Sequence, residues 1–345
     1  MSEPTEHAVR LPGEFEPHER TVLCWPGRAD LYGELMPAAK TAHAEVARAI
    51  SGFEPVTVIA RPGAPAAEAA DRCGSGVTIL ELPLDDSWFR DTGPIYVVAE
   101  DHVRATDWRF NGWGNKYLPF DRDALLAARY ARLAGQAVHQ VPMVLEGGSI
   151  SSDGQGTLLT TAQCLLHPNR NPGLTRTEIE TVLRTELGST VIQWLPYGLA
   201  DDDDTDGHVD NVAAFVKPGT VLLQGCNDPE APDHARLVAN RRWVQGATDA
   251  SGDAIEVVEV PVLPFAEIGG TRVPVPYLNF YLGNGFVLVP VCGHHADAEM
   301  CAIIGEQFTD REVIALDVGA ILAFGGGGIH CITQQVPSAP VHPGS

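Results

Sequence analysis

Apolar positions along the chain recur in two rhythms. From Met36, the run PAAKTAHAEVARAI sets Val46 and Ile50 four apart among alanines, which predicts a helix of good intrinsic propensity. Thr175 three residues before Glu178 is a capping-box signature ahead of Ile179, Val182, Leu183 and Leu187, a second amphipathic helix. Leu126, Tyr130 and Leu133 mark a helix over 123–133, Asp233 is placed to cap one running to Gln245, and Met300, Ile303, Ile304 and Phe308 mark the last. Short β-branched or apolar runs predict strands at 21–25, 56–60, 77–82, 95–98, 157–161, 212–216, 220–224, 256–260 and 286–290. Residues 61–76 read as a Pro/Ala loop, 107–120 as a long loop or lid, and 264–276 as irregular. No stretch is long or polar enough to divide the chain. The expectation is one α/β catalytic domain over 1–337, followed by a proline-rich, disordered tail at 338–345.

Composition narrows the function classes. With 345 residues and a formal charge of -22, the chain can bury a large core and offers no clustered Lys and Arg for nucleic acid. The acidity suits a small cationic substrate, although solubility alone accounts for it equally well. No run approaches a membrane span, and Met1 to Gly13 lacks the basic and apolar parts of a signal peptide, so a cytoplasmic location is expected. The seven cysteines are scattered, with no CxxC, which argues against a disulfide framework and a zinc site and fits a reducing compartment. No GxGxxG or GxxxxGK supports nucleotide binding.

Chemistry-bearing residues gather in four places: DDSWFRDTGP (85–94), VLEGGS (144–149), DDDDTDGHVDN (201–211) and GGGGIHCITQQ (325–335). Cys331, after four glycines and the apolar run Ile321 to Phe324, is placed like a nucleophile at the mouth of a strand. A thiol at its usual pKa of roughly 8.5 needs assistance to react at neutral pH. His208 and a carboxylate first suggest a protease-like dyad, yet that chemistry needs one orienting acid and this chain offers two or three. Paired carboxylates without a protein cation ask for a cationic substrate, and the planar N–H fork of a guanidinium matches them. Held between Asp91 and Asp210, its central carbon could take Cys331 sulfur, with His208 protonating departing ammonia and then activating water to release a ureido product. Each piece has a plainer alternative. Asp91 could pair with Arg90, Glu146 could hold its turn through the N–H groups of Gly147 and Gly148, and Asp201 to Asp204 could be a solvated loop. Trp88 and Trp113 could be core residues. His208 and Asp210, two apart on an extended segment, would share a face, and no third metal ligand stands at convincing spacing.

In this order and at these separations, WFRDTGP, LEGGSI, TDGHVDN and GGGGIHCITQQ resemble the agmatine deiminase family, a branch of the guanidine-modifying superfamily that includes bacterial peptidylarginine deiminases. The resemblance runs from about Leu11 to Pro337. It implies a five-bladed, pseudo-symmetric α/β propeller (pentein) of ββαβ units around a central cavity, although no fivefold self-similarity is visible in the sequence. It implies Cys331 as nucleophile, His208 as acid/base, Asp91 and Asp210 as guanidinium carboxylates and Glu146 as a further acid near the histidine. Trp88, with Trp113 as a second candidate, would line the substrate channel. Asp204 stands where the family's acid approaches the distal amine, but DDTD replaces the frequent DETN and shortens that arm by one methylene. The implied reaction converts agmatine to N-carbamoylputrescine and ammonia in putrescine and polyamine biosynthesis, with no cofactor and no metal. Rivals are a deiminase of free or peptidyl arginine and an amidinotransferase. Assembly into a homo-oligomer is compatible with the sequence.

Overall fold

One strand arrangement recurs five times in the computed structural model, which describes residues 9–99 and 102–339. In each unit two strands pair antiparallel, a helix follows the second, and a third strand pairs parallel to it. Ile95–Ala99, His102–Arg109, the helix Leu126–Leu133 and Val138–Val144 form one unit. Ile150–Ser152, Thr157–Thr161, Arg176–Leu187 and Val191–Leu195 form the next. Ala213–Lys217, Thr220–Gln224, Pro232–Gln245 and Glu256–Val260 repeat it, as do Tyr281–Gly283, Phe286–Pro290, Asp297–Gly305 and Glu312–Leu316.

The fifth blade is assembled from both ends of the chain. Thr333–Pro337 pairs antiparallel with His18–Cys24, Thr333 opposite Leu23, and the helix Met36–Ser51 leads to the parallel strand Val56–Ala60. A further helix, Ala64–Cys73, and the strand Val77–Glu81 extend this sheet. The ββαβ propeller implied by resemblance is therefore the fold. Its strands Ile95–Ala99 and Thr333–Pro337 are buried along their whole length; the first carries the apolar run that this burial favours, whereas the second buries Thr333, Gln334 and Gln335.

Local chemistry explains the elements. The Thr175–Glu178 capping box forms reciprocally, and Gly188 closes that helix in a left-handed conformation. Several expectations change. Ala64–Cys73 is a helix rather than a loop, with proline tolerated in its first turn. Phe265–Ile268 and Thr271–Pro274 pair as a hairpin. The segment 107–120 begins inside the strand His102–Arg109; beyond it the chain is the expected long loop, interrupted by one short turn, with Phe110 and Trp113 buried. Asp233 does not cap its helix; Ala231 holds that position and the Asp233 carboxylate accepts the Ala200 N–H at 2.7 Å. Ile321 to Phe324 belongs to the helix Gly319–Phe324, not to a strand. The expected tail lies outside the described residues from 340 onward. Among the described residues no helix is long and apolar enough to cross a membrane, and all seven cysteines are free thiols.

Candidate active site

A short polar turn precedes the inner strand of every blade. Asp91 lies in the single turn Phe89–Thr92 before Ile95, and Glu146 immediately before the turn Gly147–Ser149 that enters Ile150. His208 and Asp210 flank the start of the turn Val209–Asn211 before Ala213, Asn279 stands two residues before Tyr281, and Cys331 sits in the turn Ile329–Ile332 before Thr333. Fivefold pairing thus delivers one or two functional groups from each blade to a common centre. His208 and Asp210 share this centre, but through a 3-10 turn rather than an extended segment.

Cys331 is buried, and its thiol hydrogen points to Asp210 Oδ2 at 3.4 Å while Asn279 Nδ2 donates to the sulfur at 3.2 Å. The glycines ahead of it serve close packing: a Cβ on Gly327 would lie 2.6 Å from Trp88 Cζ3 and 3.1 Å from Cys331 Sγ. Asp91 is not paired with Arg90. Its Oδ1 accepts the Gly148 N–H and its Oδ2 accepts the Trp113 indole N–H, each at 2.9 Å. Trp113 reaches it from a left-handed backbone, φ 51°, an arrangement that few bulky residues adopt without function. Behind these groups Gly148 leaves room for His208, whose Nδ1 would meet a Cβ there at 2.6 Å. His208 is fully buried, and both ring nitrogens lack a hydrogen-bond partner, with Nδ1 3.9 Å from Asp91 Oδ2.

Electrostatics separates the roles. Burial is the largest influence on Cys331, and with the charges of Asp210 and Asp91 it pushes the thiol well above its ordinary pKa. Burial opposes charge on His208, but Asp91, Cys164 and Asp210 together raise its pKa well above the usual value, giving an imidazolium. Burial raises Asp91 as well, reinforced by Glu146 and Asp210. Asp210 goes the other way: burial is outweighed by the hydrogen bond and charge of His330, so its carboxyl stays below the usual range.

Glu146 does not hold its turn through the two glycine N–H groups. It is wholly buried, and its Oε1 accepts Arg170 Nε at 2.6 Å, while Arg170 also pairs with Asp206 at 2.8 Å. Glu146, Cys164 and His208 bring potential metal donors within 4.8 Å of one another, a third ligand the sequence did not suggest. The Arg170 guanidinium already neutralises Glu146 there, so the cluster fits the rear of the histidine better than a cation cage. Asp202 accepts the backbone N–H groups of Thr205 and His208, and Asp201 and Asp203 are exposed; only Asp204 of this run faces the site. Arg170 and Asn279 escaped sequence reasoning. Each nevertheless stands in a recognisable context, NRNP and a polar residue just before an inner strand.

The centre opens into a cavity of about 320 Å³ lined by Trp88, Trp113, Tyr117, Asp86, Asp91, Asp204 and Cys331 among others, with no lysine or arginine among the described residues of its wall. Tyr117 donates its hydroxyl to Asp204, and Asp86 is held by Arg28 Nε at 2.7 Å. All eight residues singled out by sequence lie in this region. Cys331, Asp91, Trp88, Trp113 and Asp204 line the cavity, with His208, Asp210 and Glu146 set behind it.

The comparisons match this geometry. A protein-family profile described as Porphyromonas-type peptidyl-arginine deiminase covers residues 10–337. The agmatine deiminase of Stutzerimonas stutzeri is 39% identical over 361 residues, covering 98% of both chains. A solved agmatine deiminase of Enterococcus faecalis superposes with a TM-score of 0.92 at 32% identity, covering 96% of each chain. DDAH from Pseudomonas aeruginosa shares the fold alone, at 12% identity and a TM-score of 0.51 over 92% of this chain and 99% of its own. With its profile matched from Arg10 to Pro337 and relatives aligned end to end, the chain belongs to the Porphyromonas-type peptidyl-arginine deiminase family.

Proposed function

We propose that the chain is an agmatine deiminase, a hydrolase of the guanidinium carbon–nitrogen bond, whose catalytic unit is the whole of 1–337. One observation carries this reading: a buried thiol, two carboxylates and an unpartnered imidazole meet beneath a tryptophan-walled cavity whose described lining has acids but no lysine or arginine. Such a pocket selects a substrate that is positive at both ends. Arg90 is turned away and bound to Glu14 at 3.0 Å, and Arg109 is exposed beside a separate surface cavity, so neither supports a partner for the α-carboxylate of free arginine.

The reaction follows from the geometry. Asp91 and Asp210 take the N–H forks of the guanidinium and keep its carbon electrophilic, Trp88 and Trp113 flank the alkyl chain, and Asp204 meets the distal ammonium. The incoming positive charge offsets the two carboxylates that hold the Cys331 thiol protonated, so the thiol gives up its proton to solvent water, and the thiolate forms, only with substrate present. Sulfur adds to the guanidinium carbon, His208 gives its proton to the leaving nitrogen, and ammonia departs, leaving a thiouronium on Cys331. Neutral His208 then takes a proton from water, the hydroxide adds to the same carbon, and collapse restores the thiol with N-carbamoylputrescine as product. Glu146, tied to Arg170, fixes the rear of the histidine.

The test is turnover of agmatine, free arginine and a peptidyl arginine by the purified chain, read as ureido product and ammonia. Agmatine is expected to lead by at least about tenfold, for which about 1.4 kcal/mol of discrimination suffices. Equal rates, or none with agmatine, reject the assignment.

A further inference from the structure

A second network lies on the far side of Asp210. His330 adjoins the nucleophile in sequence, yet it does not line the substrate cavity. Its Nδ1 stands 2.9 Å from Asp210 Oδ2, and its Nε2 stands 2.9 and 3.0 Å from the two carboxylate oxygens of Glu14. Glu14 in turn pairs with Arg90 Nη1 at 3.0 Å, and Arg90 Nε donates to the His330 carbonyl at 3.4 Å. Glu14 comes from the segment after the short strand Val9–Arg10. With Leu11 and Pro12 it lines a second cavity shared with the inner-strand residues Ile95, Ile150, Ser151, Gln334 and Gln335.

An imidazole with a carboxylate at each nitrogen carries a proton on both, so His330 is a cation whose ring plane is fixed at two points. We propose that Glu14 and His330 form a positioning dyad that holds the Asp210 carboxylate by Oδ2 and leaves Oδ1 for a cationic substrate, making the N-terminal segment a working part of the site. Asp210 Oδ1 is buried without a partner, as this requires. The contrast between the two clamp acids supports it. Asp91 and Asp210 are both buried beside Cys331 and His208, yet burial raises Asp91 whereas Asp210, the one touching His330, is lowered. His330 itself is raised: burial and Arg90 oppose its charge, and Glu14 and Asp210 outweigh them. The titratable and charged groups facing Asp210 are His330, His208, Cys331 and Asp91; those facing the dyad from behind are Arg90 and the His18 ring.

The inference rests on the proposed guanidine chemistry, and its test separates the two. In His330→Gln, Asp210 loses its cation and protonates more readily, so the acid limb of kcat/KM for agmatine moves upward by about one pH unit or more while the alkaline plateau is largely kept. A limb left at its wild-type position, or a loss uniform across pH, overturns the proposal. Glu14→Gln, on a segment nearer the surface, decides the matter if the first variant does not fold. Without Glu14, His330 loses its proton near neutrality, so KM rises at least about fivefold at about pH 8 and returns to within about twofold of wild type at about pH 5.5, where the ring is charged again. A KM ratio constant with pH overturns the proposal. If the wild-type chain turns over no guanidine at all, the function has failed, and the dyad is read instead from the His330 imidazole by NMR. A ring charged at about pH 7 in wild type and neutral in Glu14→Gln supports it, and a ring neutral in wild type ends it.

Discussion

Burial, with the charges of Asp210 and Asp91, holds the Cys331 thiol well above its ordinary pKa, so the proposed nucleophile should react slowly without substrate. Its alkylation by iodoacetamide, followed on the Cys331 peptide, is therefore expected still to be rising at about pH 9, and a plateau near pH 7 would contradict this. The Trp113 indole binds the charged acceptor Asp91, a bond worth about 1.5–3 kcal/mol, so Trp113→Phe is expected to lower kcat/KM by about one to two orders of magnitude with the fold intact. Arg170 poses a different problem, since its removal strands a wholly buried Glu146. Arg170→Met should cost about 3–5 kcal/mol in urea unfolding, and a second change, Glu146→Gln, should recover part of it. At this scale the sequence was most legible where chemistry is local: His208 with Asp210, and Cys331 after its glycines. Asn279 lies 52 residues from Cys331 and Glu14 lies 316 from His330, and no spacing rule connects such pairs. Their roles appear only when the blades close.

Elements with a strong periodic face were legible, and those defined by tertiary contact were not. The helix Met36–Ser51 and the capped helix Arg176–Leu187 stand where their patterns place them. Thr175→Ala removes the hydroxyl that accepts the Glu178 N–H and should cost about 1 kcal/mol, measured as a lowered urea midpoint at unchanged slope. Ala64–Cys73 was hidden because its small residues give a weak periodic signal and Pro65 looks like a breaker when its first-turn position is unknown. The inner strands of three to five residues were only partly legible, for another reason. Ile95–Ala99 and Ala213–Lys217 carry enough apolar residues to be read, but Ile150–Ser152, Tyr281–Gly283 and Thr333–Pro337, short or polar and preceded by polar site residues, look like irregular segments until their partners are known.

The whole molecule explains why its fivefold repeat leaves no mark on the sequence. One blade is split between His18–Cys24 and Thr333–Pro337, and the blade helices span from 8 to 16 residues, so no fixed period exists to be found. The same scale holds the net charge of -22, which should steer a cationic substrate: kcat/KM for agmatine should fall severalfold from low salt to about 0.5 M NaCl, and a salt-independent value would deny that role. Central to all of this is that carboxylates from separate blades present a guanidinium carbon to Cys331 sulfur. Mass spectrometry of the enzyme quenched with acid during agmatine turnover tests it most directly. The Cys331 peptide should gain the mass of agmatine less ammonia; turnover with that peptide unmodified, or with the added mass on another residue, would contradict the account.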